Sequence, residues 1–213
     1  MTLDKGKKIL IVGLGLIGGS YAAALSGKGW EVGAIDPDPK AISFAEKAGF
    51  IRHGHTEPDA EYVGKFDIVV FALYPHVLLE WLEKYGSWMR DGALATDVTG
   101  VKSGVVEKAQ ALLFPRVEFV GAHPMAGREV SGVENARADL FQGANYIVTP
   151  TPANTEEAIA CCEALGETLG AGNISRLTVK EHDEMIGFLS QLTHCIAVAL
   201  MTCKESRHLV DYT

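Results

Sequence analysis

A histidine, an arginine and a glutamate lie close together in a glycine-rich stretch, GAHPMAGREVSG, at residues 121–132. Histidine suits proton exchange at neutral pH, because its unperturbed pKa is near 6.5. Glycine, proline and serine usually form turns. A turn that also carries His123, Arg128 and Glu129 indicates a ligand close to the backbone. A turn histidine that merely bonds to a carbonyl is the alternative.

A second chemical motif is a GxGxxG pattern formed by Gly13, Leu14, Gly15, Leu16, Ile17 and Gly18. It lies between a strand pattern and a helix pattern, the context in which such a loop binds a dinucleotide pyrophosphate. Asp36 follows about 20 residues later, where an acid accepts hydrogen bonds from ribose hydroxyls. Because an aspartate repels a ribose phosphate, NAD is favoured over NADP. A flavin or nucleotide-sugar fold shares this fingerprint and stays open.

Apolar strand patterns alternate with amphipathic helix patterns over residues 1–177. Strands are predicted at 7–13, 30–36, 66–73, 92–98, 117–122, 145–150 and 173–177, and helices at 16–28, 38–48, 76–88, 102–113 and 155–170. Strands that are apolar throughout are buried on both faces of a sheet. The alternation therefore predicts an α/β fold, a doubly wound Rossmann-type domain over residues 1–177.

Ligands of such a sheet bind at the carboxyl ends of the strands, where three loops carry unusual residues. One loop contains Ala72 and Leu73, which we expect to line the dinucleotide, and another is TDVTGVKS at 96–103. The third is the 121–132 stretch. We therefore predict that His123 faces the nicotinamide and takes the hydroxyl proton of the carbon that is oxidised.

The pattern changes at Thr178, which with Glu181 forms a capping-box sequence at the start of a long helix. This helix is predicted to run to about residue 205 and is apolar on almost every side. Such a helix must be covered by other helices or by another subunit. Residues 178–213 are thus predicted to begin an all-helical dimerisation domain, in a truncated chain or in a homodimer that buries the helix.

Composition excludes several classes of function. The 213 residues are 47% hydrophobic with a net charge of −8, which argues against a nucleic-acid surface. The apolar runs are too short or too amphipathic to predict a membrane span, and the sequence shows no leader pattern, so a cytoplasmic protein is expected. The four cysteines form no CxxC pair, which favours buried, reduced thiols. His53 and His55 lack a third ligand with suitable spacing and are predicted to be loop residues, so no metal site is expected.

Four blocks of the sequence, in order along the chain, resemble the prephenate and arogenate dehydrogenases of tyrosine biosynthesis. They are GLGLIGGS at 13–20, DVTGVKS at 97–103, GAHPMAGREVSG at 121–132 and HDEMIGFLSQLTH at 182–194. The blocks around His123 and at 182–194 are specific, whereas the glycine fingerprint is shared with many other families.

The resemblance implies NAD-dependent oxidative decarboxylation of prephenate to 4-hydroxyphenylpyruvate, or of arogenate to tyrosine. His123 matches the catalytic histidine, which takes the proton of the ring hydroxyl. Glu129 matches an acid at the pocket entrance, and Arg128 is expected to meet a substrate carboxylate or to be an ordinary surface arginine. Ser190 and His194 are expected to line the substrate pocket. Spacing places them on one helix face with Asp183, and a histidine satisfied by its neighbour Ser190 is the alternative.

Two departures from the family pattern are visible. Many members have a serine beside the catalytic histidine where this chain has Gly100, so Thr99 or a water is expected to substitute. The family's arginine for a substrate carboxylate belongs to a downstream part that is absent from these 213 residues.

Two other functions stay open at the level of sequence. Another NAD(P)-dependent dehydrogenase of this two-domain plan usually relies on a lysine in its helical domain, and Lys180 is poorly placed for that role. A regulatory protein that binds NAD without turnover is the second.

Overall fold

The computed structural model describes residues 3–202, and its central feature is one sheet of eight strands. In chain order the strands are β1 Lys8–Val12, β2 Glu31–Ile35, β3 His53–His55, β4 Ile68–Phe71, β5 Leu94–Asp97, β6 Glu118–Pro124, β7 Asn145–Thr149 and β8 Asn173–Arg176. Their order across the sheet is β3-β2-β1-β4-β5-β6-β7-β8. The first six run parallel, β7 is antiparallel to β6, and β8 is parallel to β7. The predicted doubly wound α/β fold is confirmed, with two reversed strands at one edge.

Helices cover both faces of the sheet. In chain order they are α1 Leu16–Gly27, α2 Pro39–Lys47, α3 Ala60–Val63, α4 Pro75–Tyr85, α5 Val106–Leu113, α6 Glu156–Leu169, α7 Val179–Ile186 and α8 Leu192–Thr202. One apolar core packs α1, α2 and α6 against the sheet, and a second packs α4 and α5 against the opposite face. Burial on both faces explains why the parallel strands are continuously apolar.

Three short elements were not predicted: β3, α3 and the 3₁₀ turn Val133–Asn135. The prediction that His53 and His55 lie in a loop was wrong, because both belong to β3 at the sheet edge. The His55 ring stacks on Tyr62, with centroids 3.9 Å apart. A three-residue edge strand is too short to show a two-residue period, so its polar sequence gave no strand signal.

The cysteines differ in burial. Cys161 and Cys162 are buried free thiols in α6, as predicted, whereas Cys195 is exposed on α8, which corrects the expectation that all are buried. Cys203 lies outside the described residues. The exposure of Cys195 follows from that of the helix that carries it.

The helix that follows β8 is long but not regular. Thr178 and Glu181 form the predicted capping box at its start. Between α7 and α8 the residues Gly187–Gln191 form a π-helical segment, so the prediction of one regular α-helix was wrong there. Because π-helical bonds span five residues, they shift the register of the face that was expected to carry Asp183, Ser190 and His194 together.

The continuous helical segment over 179–202 is also long and apolar enough to cross a membrane by length and composition, with a mean hydropathy of 1.6. This corrects the statement that the apolar runs are too short or amphipathic. Only 6% of its most apolar window is buried. A helix that a partner covers passes the same test of length and composition.

Candidate active site

The glycine loop between β1 and α1 is shaped by close backbone packing. Gly13 has φ of 97°, a conformation that glycine adopts without strain, and a Cβ there would lie 2.5 Å from the Ala72 carbonyl oxygen. A Cβ at Gly18 would collide with the Gly13 carbonyl oxygen and lie 2.9 Å from the Ala72 Cβ. The first and last glycines therefore fit α1 tightly against β1 and the loop after β4.

The middle glycine of the loop is different. A Cβ built at Gly15 would meet no atom of the described residues within 4 Å. Gly15 is also the N-cap residue of α1 and has no side chain to cap the helix. The first N–H groups of α1 therefore face open space, the arrangement that suits a pyrophosphate at a helix N-terminus.

Asp36, at the carboxyl end of β2, is held beside this loop. Its Oδ2 accepts a hydrogen bond from the Leu14 N–H at 2.6 Å, and its Oδ1 accepts one from the Asp38 N–H at 2.9 Å. Each carboxylate oxygen keeps a further lone pair for another donor. These two backbone bonds fix the carboxylate where a ribose would follow the pyrophosphate.

A cleft of about 430 Å³ opens between the glycine loop and the end of the 121–132 stretch. Its walls include Gly15, Asp36, Val133 and Glu134. The backbone N–H of Arg137 donates to the Ser20 hydroxyl at 3.0 Å, which ties this segment to α1. The 121–132 stretch thus carries His123 near its start and reaches the dinucleotide loop at its end.

His123 lies near the carboxyl end of β6. The glycine loop lies on the same side of the sheet, where the parallel strands have their carboxyl ends. The strand order β1-β4-β5-β6 separates His123 from that loop by about 14 Å, three strand spacings. A Cβ built at Gly100, in the loop after β5, would lie 3.6 Å from His123 Nε2. His123 Nδ1 lies 2.9 Å from His182 Nε2. One ring nitrogen therefore faces the Gly100 loop, and the other contacts α7.

A buried ion pair supports the backbone under His123. Lys102 Nζ lies 2.6 Å from Asp97 Oδ2 and donates to the Ala122 carbonyl at 2.5 Å. Both side chains of the pair are fully buried. Asp97 Oδ1 also accepts a hydrogen bond from the Ala122 N–H at 3.0 Å. The pair thus holds the residue before His123 through both its N–H and its carbonyl.

Asp183 joins α7 to the loop after β5. Its Oδ1 accepts from the Lys102 N–H at 2.9 Å, and its Oδ2 accepts from the Ser103 N–H at 2.8 Å. The Nδ1 of the buried His182 lies 2.8 Å from Asp183 Oδ1. The chain of contacts from His123 through His182 to Asp183 therefore ends on the backbone of that loop.

Burial and neighbouring charges set the ionisation of this cluster. Burial, with the charge of Lys102 and then His182, lowers the pKa of His123 to about 4 against the opposing carboxylates. Burial also lowers the pKa of His182, although the bond to Asp183 acts in the other direction. Burial alone would raise the pKa of Asp183, but bonds from Ser103, His182 and the Lys102 N–H outweigh it and lower the pKa to about 2. Both imidazoles are therefore neutral and Asp183 is ionised at neutral pH.

Thr99 was expected to contact the substrate, but its hydroxyl is engaged within its own loop. Thr99 Oγ1 donates toward Asp97 Oδ2 and also lies 2.9 Å from the Val101 carbonyl oxygen. The residue is buried. This geometry does not support the expected substitution for the family's serine, because the hydroxyl is already committed to the Asp97 carboxylate.

The other expected substrate residues lie on the surface. Arg128 and Glu129 are exposed in a loop, and the positive charge of Arg128 helps to lower the pKa of Asp139. Ser190 is half-buried in the π-helical segment. His194 is exposed on α8, and its Nδ1 lies 2.9 Å from the Ser190 carbonyl oxygen. The structure therefore places His123 and the dinucleotide loop on the same side of the sheet, at the carboxyl ends of the strands. The four substrate residues form no described bond to His123.

Sequence reasoning missed the parts played by His182, Asp97 and Lys102. The contacts of His182 and Asp183 join α7 to the loop after β5 and to β6, and no local sequence pattern indicates such long-range contacts. A signal for the other two was present, because Asp97 ends a buried strand and Lys102 follows it closely in a loop. An acid in a buried strand needs a partner, and the nearest cation in the sequence is Lys102.

Comparison with known proteins agrees with this architecture. Residues 21–175 match the family model described as "Prephenate dehydrogenase, nucleotide-binding domain". The chain is 34% identical to a prephenate dehydrogenase of Lactococcus lactis subsp. cremoris over 201 residues, which are 92% of this chain and 53% of the relative. It therefore spans about half the length of that relative.

Solved structures give the same result. The structure of Aquifex aeolicus prephenate dehydrogenase in complex with hydroxyphenyl propionate and NAD+ matches with a TM-score of 0.84 and 31% identity, over 94% of this chain and 70% of that one. Synechocystis arogenate dehydrogenase matches with a TM-score of 0.82 and 28% identity, over 95% of this chain and 72% of that one.

Proposed function

The chain belongs to the prephenate dehydrogenase family, and from this premise we propose that it takes part in NAD-dependent oxidative decarboxylation of prephenate. The observation that carries the proposal is the placement of His123. Its Nε2 faces the Gly100 loop, and the open glycine loop and the Asp36 carboxylate lie on the same side of the sheet. A base beside a dinucleotide site is the minimum that oxidation of a hydroxyl-bearing carbon requires.

The residues around the glycine loop fit NAD. The uncapped start of α1 and the space at Gly15 suit the pyrophosphate, and Asp36 is oriented to accept bonds from the ribose hydroxyls. The Asp36 carboxylate would repel a ribose phosphate, which favours NAD over NADP. When bound, NAD supplies the hydride acceptor.

The chain's own residues handle the proton. His123 is neutral at pH 7, so its Nε2 lone pair can take the proton of the ring hydroxyl as that carbon loses hydride. The ring carboxylate leaves as carbon dioxide, and the electrons of the broken C–C bond complete the aromatic ring. The buried Asp97–Lys102 pair holds the Ala122 backbone and so fixes the strand from which His123 projects. Arg128 and Glu129 are proposed to meet the substrate at the pocket entrance, and Ser190 and His194 to line the pocket from the helix.

The proposal is tested by NADH absorbance with NAD and either prephenate or arogenate, for the wild type and His123→Asn. Loss of the base should lower kcat by about 10²- to 10⁴-fold. His53→Asn is the matched control, because His53 lies exposed at the far edge of the sheet, and it should leave the rate unchanged. A wild type that binds NAD by calorimetry yet oxidises neither compound would refute the proposal. Faster turnover of arogenate would assign the amino-acid substrate instead.

We also propose that the chain forms a homodimer through α8. A cytoplasmic location is part of the same proposal. Ile196, Val198 and Leu200 are 51%, 61% and 63% exposed, and such an apolar helix surface requires a cover. A second copy of this helix is the simplest cover, since closed two-fold pairing is the commonest assembly. Sedimentation should give a dimer for the wild type and a monomer for Ile196→Glu/Leu200→Glu. A wild-type monomer at micromolar concentration, or co-sedimentation with lipid vesicles, would contradict the proposal.

A further inference from the structure

The two histidines and the aspartate at the sheet–helix junction form a directed line of hydrogen bonds. His123 Nδ1 meets His182 Nε2 at 2.9 Å, and His182 Nδ1 meets Asp183 Oδ1 at 2.8 Å. The His182 side chain is fully buried and the His123 side chain mostly so. Each imidazole nitrogen in this line has one partner, so the position of every proton follows from the group at the end of the line.

Asp183 fixes the first proton. Its two oxygens already accept from the backbone N–H groups of Lys102 and Ser103, and an ionised carboxylate cannot donate. His182 Nδ1 must therefore carry the proton of the bond to Asp183. A neutral imidazole with its proton on Nδ1 has a lone pair on Nε2. His182 Nε2 is consequently an acceptor, and the nitrogen that faces it, His123 Nδ1, must donate.

We propose that His182 is a positioning residue that holds His123 in the tautomer with its proton on Nδ1, leaving the Nε2 lone pair free toward the Gly100 loop. The role of His182 in the reaction rests on the proposed function, whereas the tautomer does not. In the opposite tautomer, the Nε2 of His123 would carry a proton and point it at the substrate hydroxyl. Such an imidazole cannot act as the base.

Asp183 also positions the loop that His123 faces. The carboxylate that orients His182 holds the backbone of Lys102 and Ser103, in the loop that brings Gly100 against His123. One side chain thus sets both the tautomer of the base and the loop it faces. When His123 gains a proton at Nε2, its Nδ1–H bond to His182 becomes charge-assisted and stronger. The other charged groups near the two rings are Lys102 and Asp97.

Two variants of His182 separate positioning from packing. In His182→Asn the amide replaces Nδ1 toward Asp183 but ends too early to reach His123, so the Nδ1–H of His123 loses its acceptor. In His182→Gln the longer side chain places its amide oxygen near the former Nε2 position, and the acceptor is retained. Chemical denaturation of both variants shows whether each is folded.

The primary measurement is ¹⁵N NMR of the imidazole nitrogens in the chain labelled at histidine, assigned with His123→Asn. We expect a wild-type His123 with its proton on Nδ1, the same tautomer in His182→Gln, and a mixture or the reverse tautomer in His182→Asn. Complete reversal of the tautomer should lower kcat with prephenate by about 10²- to 10⁴-fold with little change in KM, whereas a mixture should lower kcat only in proportion to the fraction that keeps the proton on Nδ1. His182→Gln should recover most of the rate.

A wild-type His123 protonated on Nε2 would overturn the inference, as would a His182→Asn variant with unchanged tautomer and unchanged kcat. If KM rises and kcat stays constant in His182→Asn, the residue only supports substrate binding and the positioning role is refuted. A wild type with the expected tautomer but no turnover of prephenate or arogenate would support the tautomer assignment and refute the proposed reaction.

Discussion

The surroundings of His123, at the carboxyl ends of the strands, and the helical segment after Ile186 differ in burial and in hydrogen bonding. Near His123 the side chains of Asp97, Lys102 and His182 are all hydrogen-bonded, and the charged Asp97–Lys102 pair is fully shielded from water. On α8 the large apolar side chains are mostly exposed, and the one hydrogen bond of the His194 side chain within residues 3–202 is to the carbonyl one turn before it. The described residues therefore fix the position of His123 by themselves, whereas the helix after Ile186 depends on what covers it.

The largest expected effect comes from breaking the buried ion pair. Lys102→Met leaves Asp97 as an uncompensated buried charge, which should lower the free energy of unfolding by about 3–5 kcal/mol. Lys180→Met is the matched control in the helical region, because Lys180 is 84% exposed and lies 3.8 Å from Glu184. Its effect should stay below about 1 kcal/mol. Urea unfolding measures both, and equal effects would remove the contrast between the two regions.

A second expected difference concerns the ionisation of the base. The pKa of His123 is lowered to about 4, so its neutral, competent form persists from neutral pH down to that value and is lost only below it. An NMR titration of His123 should show its midpoint near pH 4. Because the unfolded imidazole has a pKa of about 6.5, the unfolded state binds the proton first. Folding stability should therefore fall as the pH drops from about 6.5 towards 4. A midpoint near 6.5 would show that water reaches the site.

Much of the sheet region could be predicted from the sequence, because its signals are local. Seven strands followed from continuous apolar runs, and His123 stood out as an acid–base group in a glycine-rich turn. The bond between His123 and His182 could not be predicted in this way, because it joins residues 59 positions apart and depends on how α7 docks on the loop after β5. Thr99 shows a different limit, since its hydroxyl bonds to residues two positions away and the sequence does not reveal which acceptor a hydroxyl takes.

The helical region was less predictable for a physical reason. Its sequence carries a capping box, which is observed at the start of α7, and an apolar pattern, which lies mostly in α8. No local signal indicated the π-helical turn at Gly187–Gln191, which changes the face that Ser190 presents. The apolar content of α8 also predicted that another surface covers this helix. The spacing of its apolar residues does not show which surface that is. The contrast between local and long-range determinants explains both the successes and the errors.

A smaller effect should come from restoring a hydroxyl beside the base. A Cβ at Gly100 would lie 3.6 Å from His123 Nε2, an ordinary contact, so a serine fits and its hydroxyl can reach toward that nitrogen. One added hydrogen bond contributes about 0.5–1.5 kcal/mol, so Gly100→Ser should raise kcat by up to about tenfold. Gly100→Ala adds the same Cβ without the hydroxyl and is the control. If serine is no faster than alanine, the Gly100 loop does not face the reacting hydroxyl.

The smallest expected effect is that of an isoleucine-to-alanine substitution on α8, which is measured beside the same substitution in the sheet. Ile9→Ala in β1 removes a fully buried side chain and should cost about 2–5 kcal/mol of unfolding free energy. Ile196→Ala on α8 removes one that is 51% exposed, and at low protein concentration it should change that energy by no more than about 0.5 kcal/mol. Urea unfolding at two protein concentrations measures both variants. If the cost of Ile196→Ala grows with concentration, the helix is covered by a second copy, because only association can bury that side chain further. A large cost that does not depend on concentration would mean that the chain covers the helix itself, and the contrast between the two regions would then fail.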